Sequence, residues 1–414
     1  MIPELVSFVT RREGRKFRRL SPEISGAGTR GEEMGGDVGI SLYVHIPFCR
    51  SLCPFCCFNR YLFREDQARR YFVDLKREID LYSQRGFRFS GVYFGGGTPT
   101  VLMDELAGVI GLLRERFMIN QISLETTPRE LTPVNIALLQ DLGINRLSVG
   151  VQSFEEPVLK TMGRVNGPAD EVKARLLAAQ GRFGTLNVDF VFNFPGQTIE
   201  QFAADVAAFR ELGIDQATFY PLMASPHKKD ALERKFNRVD NSREKRFYDI
   251  ILEQLYRGGY TASTAWCFSR GQHMIDEYII EYDDYVGAGA GSVSIVGGDF
   301  YANSFSLDRY HEMTAAGRLP IIGQRHLSAK ENLRYYLLTK LFGMELDLAA
   351  LRRRFGDGAG KLWTELAFFK TLRLVSGDDV LRVTEKGMYP VSVMMREFFA
   401  ALNALREYCI ENQV

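Results

Sequence analysis

Tyr43-Val-His-Ile-Pro-Phe-Cys49-Arg-Ser-Leu-Cys53-Pro-Phe-Cys56-Cys57-Phe-Asn59 decides how the rest of the chain is read. Cys49, Cys53 and Cys56 stand at C-x3-C-x2-C spacing, directly after a short apolar run that reads as a strand. Thiolates this close must converge on something soft, and iron–sulfur clusters and zinc are the usual answers. A structural zinc site wants four ligands, usually in two pairs, and the sequence has no second C-x2-C pair. A cubane held by three cysteines leaves one iron open to a substrate or cofactor, which would make the loop chemical rather than structural. Zinc, a disulfide or a chance cluster are the competing readings. Spacing alone does not separate them, because thiolate-rich loops serve both metals.

The chain has 414 residues, 46% hydrophobic and 25% charged, enough for a barrel-sized core and a smaller second domain. Lys+Arg number 52 against Asp+Glu 51, and this balance gives no support to a nucleic-acid or strongly acidic partner. No apolar run approaches the length of a membrane span. The N-terminus lacks the apolar segment of a secretory signal. Six cysteines, four of them bunched, fit a reducing cytoplasm and a metal site.

From residue 41 onward strand and helix signals alternate. Strands are expected over 42–46, 91–94, 121–126, 146–151, 187–192 and 216–222. Helices are expected over 67–82, 104–117, 133–142, 156–162, 169–182 and 199–212, the first marked by Tyr71, Phe72, Leu75, Ile79 and Leu81 near helical spacing. Six such units predict an α/β fold, a partial (β/α)6 barrel over 41–225 with a parallel sheet inside its helices. In such barrels chemistry gathers at the C-terminal ends of the strands. The cysteine loop follows the first strand and Gly95-Gly96-Gly97 the second. Glu125 ends the third, Gln152 ends the fourth and Asp189 lies in the fifth.

Residues 1–40 read as an irregular arm, with Arg11, Arg12, Arg15, Lys16, Arg18 and Arg19 clustered before Gly/Glu-rich sequence. It is either a solvated tail or an arm that folds over the site and offers arginines to carboxylates. Residues 226–328 extend the barrel. His227 to Lys245 reads as a connector or a substrate-facing insertion, followed by a helix over 247–256 and a β-prone stretch over 261–268. Gly287-Ala-Gly-Ala-Gly291 allows either close approach to a ligand or a tight sheet-to-loop crossing. Residues 329–414 predict helices over 331–342, 348–355 and 362–372, a hairpin over 374–384 and a last helix over 391–410. That order gives an α+β, winged-helix-like domain whose neutral context favours a lid or packing role over DNA binding.

Three stretches carry a family resemblance: Tyr43-x-His45-x-Pro47-Phe48-Cys49, Tyr93-Phe-Gly-Gly-Gly-Thr98-Pro-Thr100 and Asn145-Arg-Leu-Ser-Val-Gly150-Val-Gln152-Ser-Phe154. From about residue 42 to the C-terminus the chain resembles the radical S-adenosylmethionine (SAM) enzymes of the oxygen-independent coproporphyrinogen III oxidase family. That family includes the HemW-like haem chaperones and the class C methyltransferases. The resemblance implies the same partial barrel and a [4Fe-4S] cluster on Cys49, Cys53 and Cys56. It also implies reductive cleavage of SAM to a 5′-deoxyadenosyl radical that takes hydrogen from an organic substrate. Tyr43 would lie against the sulfonium, a cation that an aromatic face attracts, and Phe55 would shield the cluster or contact adenine. Gly96, Gly97 and Thr98 would receive the methionine part of SAM, and Glu125 would accept hydrogen bonds from it; Tyr43 and Glu125 are the candidate catalytic residues. Gln152, Arg164, Asp189 and Val293 match positions that contact a second SAM, with a buried Arg164–Asp189 ion pair as the bland alternative. One SAM or two, a tetrapyrrole substrate, a flavodoxin or ferredoxin electron donor, a monomer and a cytoplasmic location complete the expectation.

Cys57-Phe58 departs from the oxidase pattern, which has a cysteine at the place of Phe58, and looks more like the chaperone and the methyltransferases. The long arm and Gly291-Ser-Val-Ser-Ile-Val-Gly297 look more like the oxidase. Decarboxylation of a propionate, methyl or methylene transfer, and haem delivery therefore stay open at this level. His45 is read as a packed core histidine. His227, His273, His311 and His326 show no metal spacing, and Cys267 and Cys409 are read as small buried apolar residues.

Overall fold

The alternation of strand and helix signals is realised as one large twisted sheet with helices on its outside. The computed structural model describes residues 2–18, 20–22, 40–224, 229–230, 233–234, 240–271, 280 and 282–413. The expected strands appear as β1 (Ile40–Ile46), β2 (Phe89–Gly96), β3 (Gln121–Thr126), β4 (Arg146–Gln152), β5 (Thr185–Phe192) and β6 (Gln216–Pro221). They pair in parallel in that order. β1 is buried along its whole length, the pattern of a strand covered on both faces.

The sheet does not end at β1. β7 (Tyr285–Ala288) adds a further parallel strand on its other side, with Ser41 opposite Tyr285 and Val44 opposite Ala288. β8 (Val293–Val296), β9 (Asp299–Asn303) and β10 (Ile321–His326) continue it antiparallel. Beyond β6, Cys267–Ser269 pairs antiparallel. The result is a 12-stranded sheet in which the extension and the barrel are continuous.

The outer helices are α2 (Glu65–Gln84), α3 (Met103–Arg116), α4 (Pro133–Asp141), α5 (Glu156–Met162), α6 (Ala169–Ala179) and α7 (Ile199–Leu212). α2 buries Ala68, Tyr71, Phe72, Leu75, Ile79 and Tyr82, one face at helical spacing. α7 starts at a capping box, Thr198 with Gln201, which fixes its boundary. α8 (Glu244–Ile251) runs into a π-helical turn at Leu252–Tyr256, and α9 is Leu307–Ala315.

The C-terminal part follows the expected order. α10 (Ala329–Phe342), α11 (Leu348–Phe355) and α12 (Trp363–Thr371) are joined by a three-stranded sheet built from Glu345–Asp347, Val380–Val383 and Val375–Ser376. The last helix, α13 (Glu385–Glu411), begins earlier than predicted and carries Pro390 inside it. Thr384 caps its first turn and Gly387 lies against the Leu374 carbonyl, so the turn forms before the proline is reached.

The N-terminal arm is the main correction. Residues Ile2–Gly14 form a helix, α1, that packs on α13, and neither a solvated tail nor a cover over the cysteines describes it. The apolar residues among the arginines do the anchoring. Val6 is buried, and Phe17 sits edge-on between Phe300 and Phe398 at 5.4 Å from each ring. Ser21 then bridges to Gln324 of β10. The following Gly/Glu-rich run (23–39), Arg19, His227 and His273 lie outside the described residues, as does much of the connector at 225–239.

Candidate active site

The loop carrying the cysteines leaves β1 and is stitched to the glycine turn after β2. Gly97 donates its N–H to the Ile46 carbonyl and Thr98 to the Phe48 carbonyl, both at 2.8 Å. Thr98 Oγ1 lies 3.9 Å from Cys49 Sγ. A Cβ on Gly97 would sit 2.6 Å from the Phe48 oxygen, and one on Gly96 would sit 2.7 Å from the His45 ring. These glycines are required because two backbone segments meet there, whatever else they receive. Gly289 and Gly291 resolve the same way. Their missing side chains make room for the His45 carbonyl, Tyr71 and Asn59, so the second glycine run is a tight sheet-to-loop crossing.

Tyr43, His45 and Asn59 form a relay. His45 Nε2 is 2.8 Å from the Asn59 carbonyl, which can only accept, so Nε2 carries the proton. Nδ1 then accepts from the Tyr43 hydroxyl at 3.0 Å. Burial pushes the His45 pKa down to about 4, so the ring is neutral at ordinary pH and the tautomer is fixed. Burial, then the nearby Glu125 charge, raises the Tyr43 hydroxyl well above its usual range. The Tyr43 ring stacks near Tyr93 at 6.0 Å, and Tyr93 donates to Glu125 Oε1 at 2.9 Å. Gly96 N–H donates to the other carboxylate oxygen at 3.2 Å. Glu125, Gln152, Asp189 and Tyr220 are partly exposed within strands that are otherwise buried at those ends, so solvent reaches the inside of the barrel there.

Cys53 is buried, while Cys49 and Cys56 are half-buried. Burial, then the charges of Cys56 and Cys53, push the Cys49 thiol up to about 11. A Cys49 thiol raised in this way ionises more readily once a cationic metal group stands beside it. Among the described residues no three His, Cys, Asp or Glu side chains converge on a position for one metal ion. The donor set, three soft sulfurs spread around one loop, fits a cluster, which takes each cysteine at a different corner.

Arg164 bridges β4 and this loop. It donates to the Gly150 carbonyl and to Asn166 Oδ1 at 3.1 Å, and its Nη1 lies 3.8 Å from Cys53 Sγ. The Gln152 amide reaches the same spot: a Cβ on Gly150 would meet Gln152 Nε2 at 2.9 Å and Arg164 Nη2 at 3.0 Å. Gln152 has φ 74°, a left-handed conformation fixed by the next two residues, since Asp205 accepts from Ser153 Oγ (2.7 Å) and Phe154 N–H (2.6 Å). Asp189 accepts instead from Ser148 Oγ at 2.8 Å and Asn187 Nδ2 at 2.7 Å. The Arg164–Asp189 ion pair entertained from sequence does not form. Val293 is buried at the start of β8, just beyond the Gly291–Asn59 contact. Phe55 stands apart from Tyr43, edge-on to Phe194 at 5.6 Å within a separate apolar cluster that includes Val158 and Met162.

Two parts of the site were not picked out from sequence. Asn59 and Arg60 end the cysteine loop, and Arg60 Nη2 donates to the Cys53 carbonyl at 2.6 Å. Arg406 of α13 lies with its guanidinium 4.8 Å over the Phe58 ring. The available signal for Arg406 was position, because Asn403 and Arg406 interrupt an apolar helix face with Leu402, Leu405 and Cys409. Of the remaining candidates, His311 pairs with Asp74 and His326 with Asp299, while Cys267 and Cys409 are buried.

Residues 43–209 match the radical SAM superfamily profile, a span that runs from Tyr43 through the helix after β5. The chain is 24% identical to the haem chaperone HemW of Bacillus subtilis (strain 168), over 84% of this chain and 94% of that protein. It is 30% identical to anaerobilin synthase of Escherichia coli O157:H7, over 68% of this chain and 66% of that protein. It is 28% identical to oxygen-independent coproporphyrinogen III oxidase of Salmonella typhimurium, over 84% of this chain and 81% of that protein. The solved structure of the coproporphyrinogen III oxidase HemN from Escherichia coli superposes with a TM-score of 0.75 at 24% identity, covering 92% of this chain and 94% of that one, which establishes the shared fold. A cysteine loop at the strand ends of a parallel α/β sheet, matched by the profile over the stretch that builds it, identifies residues 43–209 as a radical SAM domain.

Proposed function

We propose that this protein is a radical SAM enzyme that takes hydrogen from a tetrapyrrole, in the manner of a coproporphyrinogen III oxidase. A radical SAM domain implies SAM and a [4Fe-4S] cluster. When bound, these supply one electron and a 5′-deoxyadenosyl radical, with methionine as the leaving group. The observation that carries the reading is the stitching of the Cys49–Cys56 loop to the Gly95–Thr98 turn beside Glu125. The names of the relatives, a haem chaperone and a coproporphyrinogen oxidase among them, support a tetrapyrrole.

In this reading Cys49, Cys53 and Cys56 hold the cluster, with Arg164 and Arg60 offsetting the thiolate charge. Gly96, Gly97 and Thr98 present backbone to the methionine part, and Glu125 holds its amine. Tyr43, kept un-ionised by burial and aimed by His45, presents its ring to the sulfonium. Phe55 and the apolar residues around it keep water from the cluster side. An electron donor of the flavodoxin or ferredoxin type completes the cycle. The test is anaerobic reconstitution with iron counting, followed by incubation with SAM, reductant and coproporphyrinogen III. Decarboxylated product together with 5′-deoxyadenosine is expected, and Cys53→Ala retaining full SAM cleavage would falsify the ligand assignment.

The extent of the HemW similarity, 94% of that protein's length, favours haem delivery as the second reading. It predicts stoichiometric haem binding with no substrate-dependent SAM turnover. The convergence of Gln152 and Arg164 on Gly150 favours a two-SAM transferase as the third, and S-adenosylhomocysteine would accumulate beside 5′-deoxyadenosine if it holds.

A further inference from the structure

Three arginines surround the cysteine loop without a carboxylate partner among the described residues: Arg60, Arg164 and Arg406. The first two are committed to the loop itself, through the Cys53 carbonyl, the Cys53 sulfur and the Gly150 carbonyl. Arg406 is not. It is 7% exposed, and its contacts are Asn403 Oδ1 at 2.9 Å and the face of Phe58. Ten residues earlier on α13, the buried Arg396 has two carboxylates, Glu244 at 2.5 Å and Glu397 at 2.7 Å. A guanidinium carries five N–H donors, and leaving a buried cation unpaired costs several kcal/mol in order-of-magnitude terms.

Two observations show that the unused donors are accessible and close to the site. None of the Arg406 nitrogens is among the fully enclosed, unpartnered polar atoms, so the head is not sealed in protein. Its charge is also felt at Tyr43 and at His45, whose ring lies 6.4 Å from that of Phe58. The group is held in place on both sides. Asn403 Nδ2 donates to the Met223 carbonyl at 2.6 Å, beyond the end of β6, where Cys57 Sγ also approaches at 3.9 Å. The C-terminal helix thus delivers a fixed, largely buried cation to the end of the cysteine loop, over Phe58 and near His45.

We infer that Arg406, oriented by Asn403 and seated on Phe58, forms an anion subsite that takes a carboxylate of the organic substrate. The planar guanidinium matches a carboxylate bidentately, and Phe58 offers an apolar surface for the body that bears it. The identification of that body as a tetrapyrrole rests on the function proposed above; the anion chemistry does not. SAM also carries a carboxylate, so the experiment must separate the two sources.

The test uses the full chain, reconstituted anaerobically, as wild type, Arg406→Gln and Arg406→Lys. Coproporphyrin III and its tetramethyl ester are titrated by fluorescence, and SAM by equilibrium dialysis. Loss of a charge-assisted bond predicts that Arg406→Gln weakens binding of the free acid by roughly tenfold to a hundredfold. Arg406→Lys should recover part of it, and the ester should bind both forms alike. Equal affinity of wild type and Arg406→Gln for the acid overturns the subsite, as does a loss confined to SAM. If wild type binds neither porphyrin, the tetrapyrrole reading fails, and a simple dicarboxylate decides the subsite. Glutarate raising the melting temperature of wild type but not of Arg406→Gln supports it, and an equal response overturns it. Should Arg406→Gln not fold, the same comparisons are made with Arg406→Lys, whose point charge lacks the fork.

Discussion

Arg11 of the first helix grips Glu397 of the last through two parallel hydrogen bonds, Nε to Oε2 at 2.9 Å and Nη2 to Oε1 at 3.0 Å. Glu397 also accepts from Ser7 at 2.8 Å and from Arg396 at 2.7 Å. Burial works to raise its pKa, but the hydrogen bond from Arg11 and the Arg396 charge prevail and hold it below the usual carboxylate range. Arg11 is about half exposed and Glu397 is not. Arg11→Ala should therefore cost only about 1 kcal/mol, discounted for solvent screening. Glu397→Ala should cost about 3 kcal/mol, because it leaves Arg396 short of one buried partner. Urea denaturation of both variants checks the ordering; Arg11→Ala proving the costlier change would contradict it.

His45 supplies a pH prediction. Its folded pKa, about 4, lies below the unfolded value of about 6.5. Between those values the unfolded chain binds the proton and the folded chain does not, so stability falls as the solution is acidified through that window. The full effect approaches about 3 kcal/mol near pH 4. His45→Phe lacks this dependence, so its stability deficit relative to wild type should shrink from pH 7 to pH 4. A deficit that stays constant across melting curves in that range would remove the assignment of a neutral His45.

Cys57 lies beside the ligand candidates but is directed elsewhere, 3.9 Å from the Met223 carbonyl and 3.6 Å from the Phe55 carbonyl. Cys57→Ala should retain the iron content of wild type after reconstitution. Alanine at Cys49, Cys53 or Cys56 should each lose most of it. Iron loss on Cys57→Ala equal to that of Cys56→Ala would require a different ligand set.

Two glycines should answer oppositely to alanine. At Gly97 the new Cβ meets Phe48 backbone atoms at 2.6 and 2.8 Å, and backbone does not yield cheaply. Gly97→Ala should cost about 1–3 kcal/mol and weaken cluster retention. At Gly111, in the exposed part of α3, nothing lies within 4 Å. Gly111→Ala should stabilise by about 0.5–1 kcal/mol through helix propensity. Thermal melts of the two, side by side, are the measurement.

Much of the barrel was legible because its strands are covered on both faces. Such segments must be apolar runs, and Leu42–Ile46 or Val188–Phe192 could hardly be read otherwise. The cysteine loop was legible because its spacing is local. What escaped depends on partners distant in the chain. The helix Ile2–Gly14 balances Arg11 and Arg12 with Glu4 and Glu13, and its packing exists only once Glu397 and Ala401 of α13 are beside it. Arg406 has no local motif around it, and only the packing of α13 turns it inward. Arg164 and Asp189 looked like a pair by charge, yet their directions send one to Cys53 and the other to Ser148.

The position of β1 between β2 and β7 has a consequence for biosynthesis. β1 meets β2 soon after it is made, but residues 47–284 must be translated before β7 can cover its other edge. At roughly 5–20 residues per second that interval is on the order of tens of seconds. Through it the nascent chain carries an open edge of Leu42, Val44 and Ile46, a template for pairing with any other extended chain. The strand that feeds the cysteine loop is thus completed late, so loading of the cluster and closure of the sheet compete in time with aggregation. Faster elongation through β7, or chaperone capture of the open edge, would raise the yield of loaded protein.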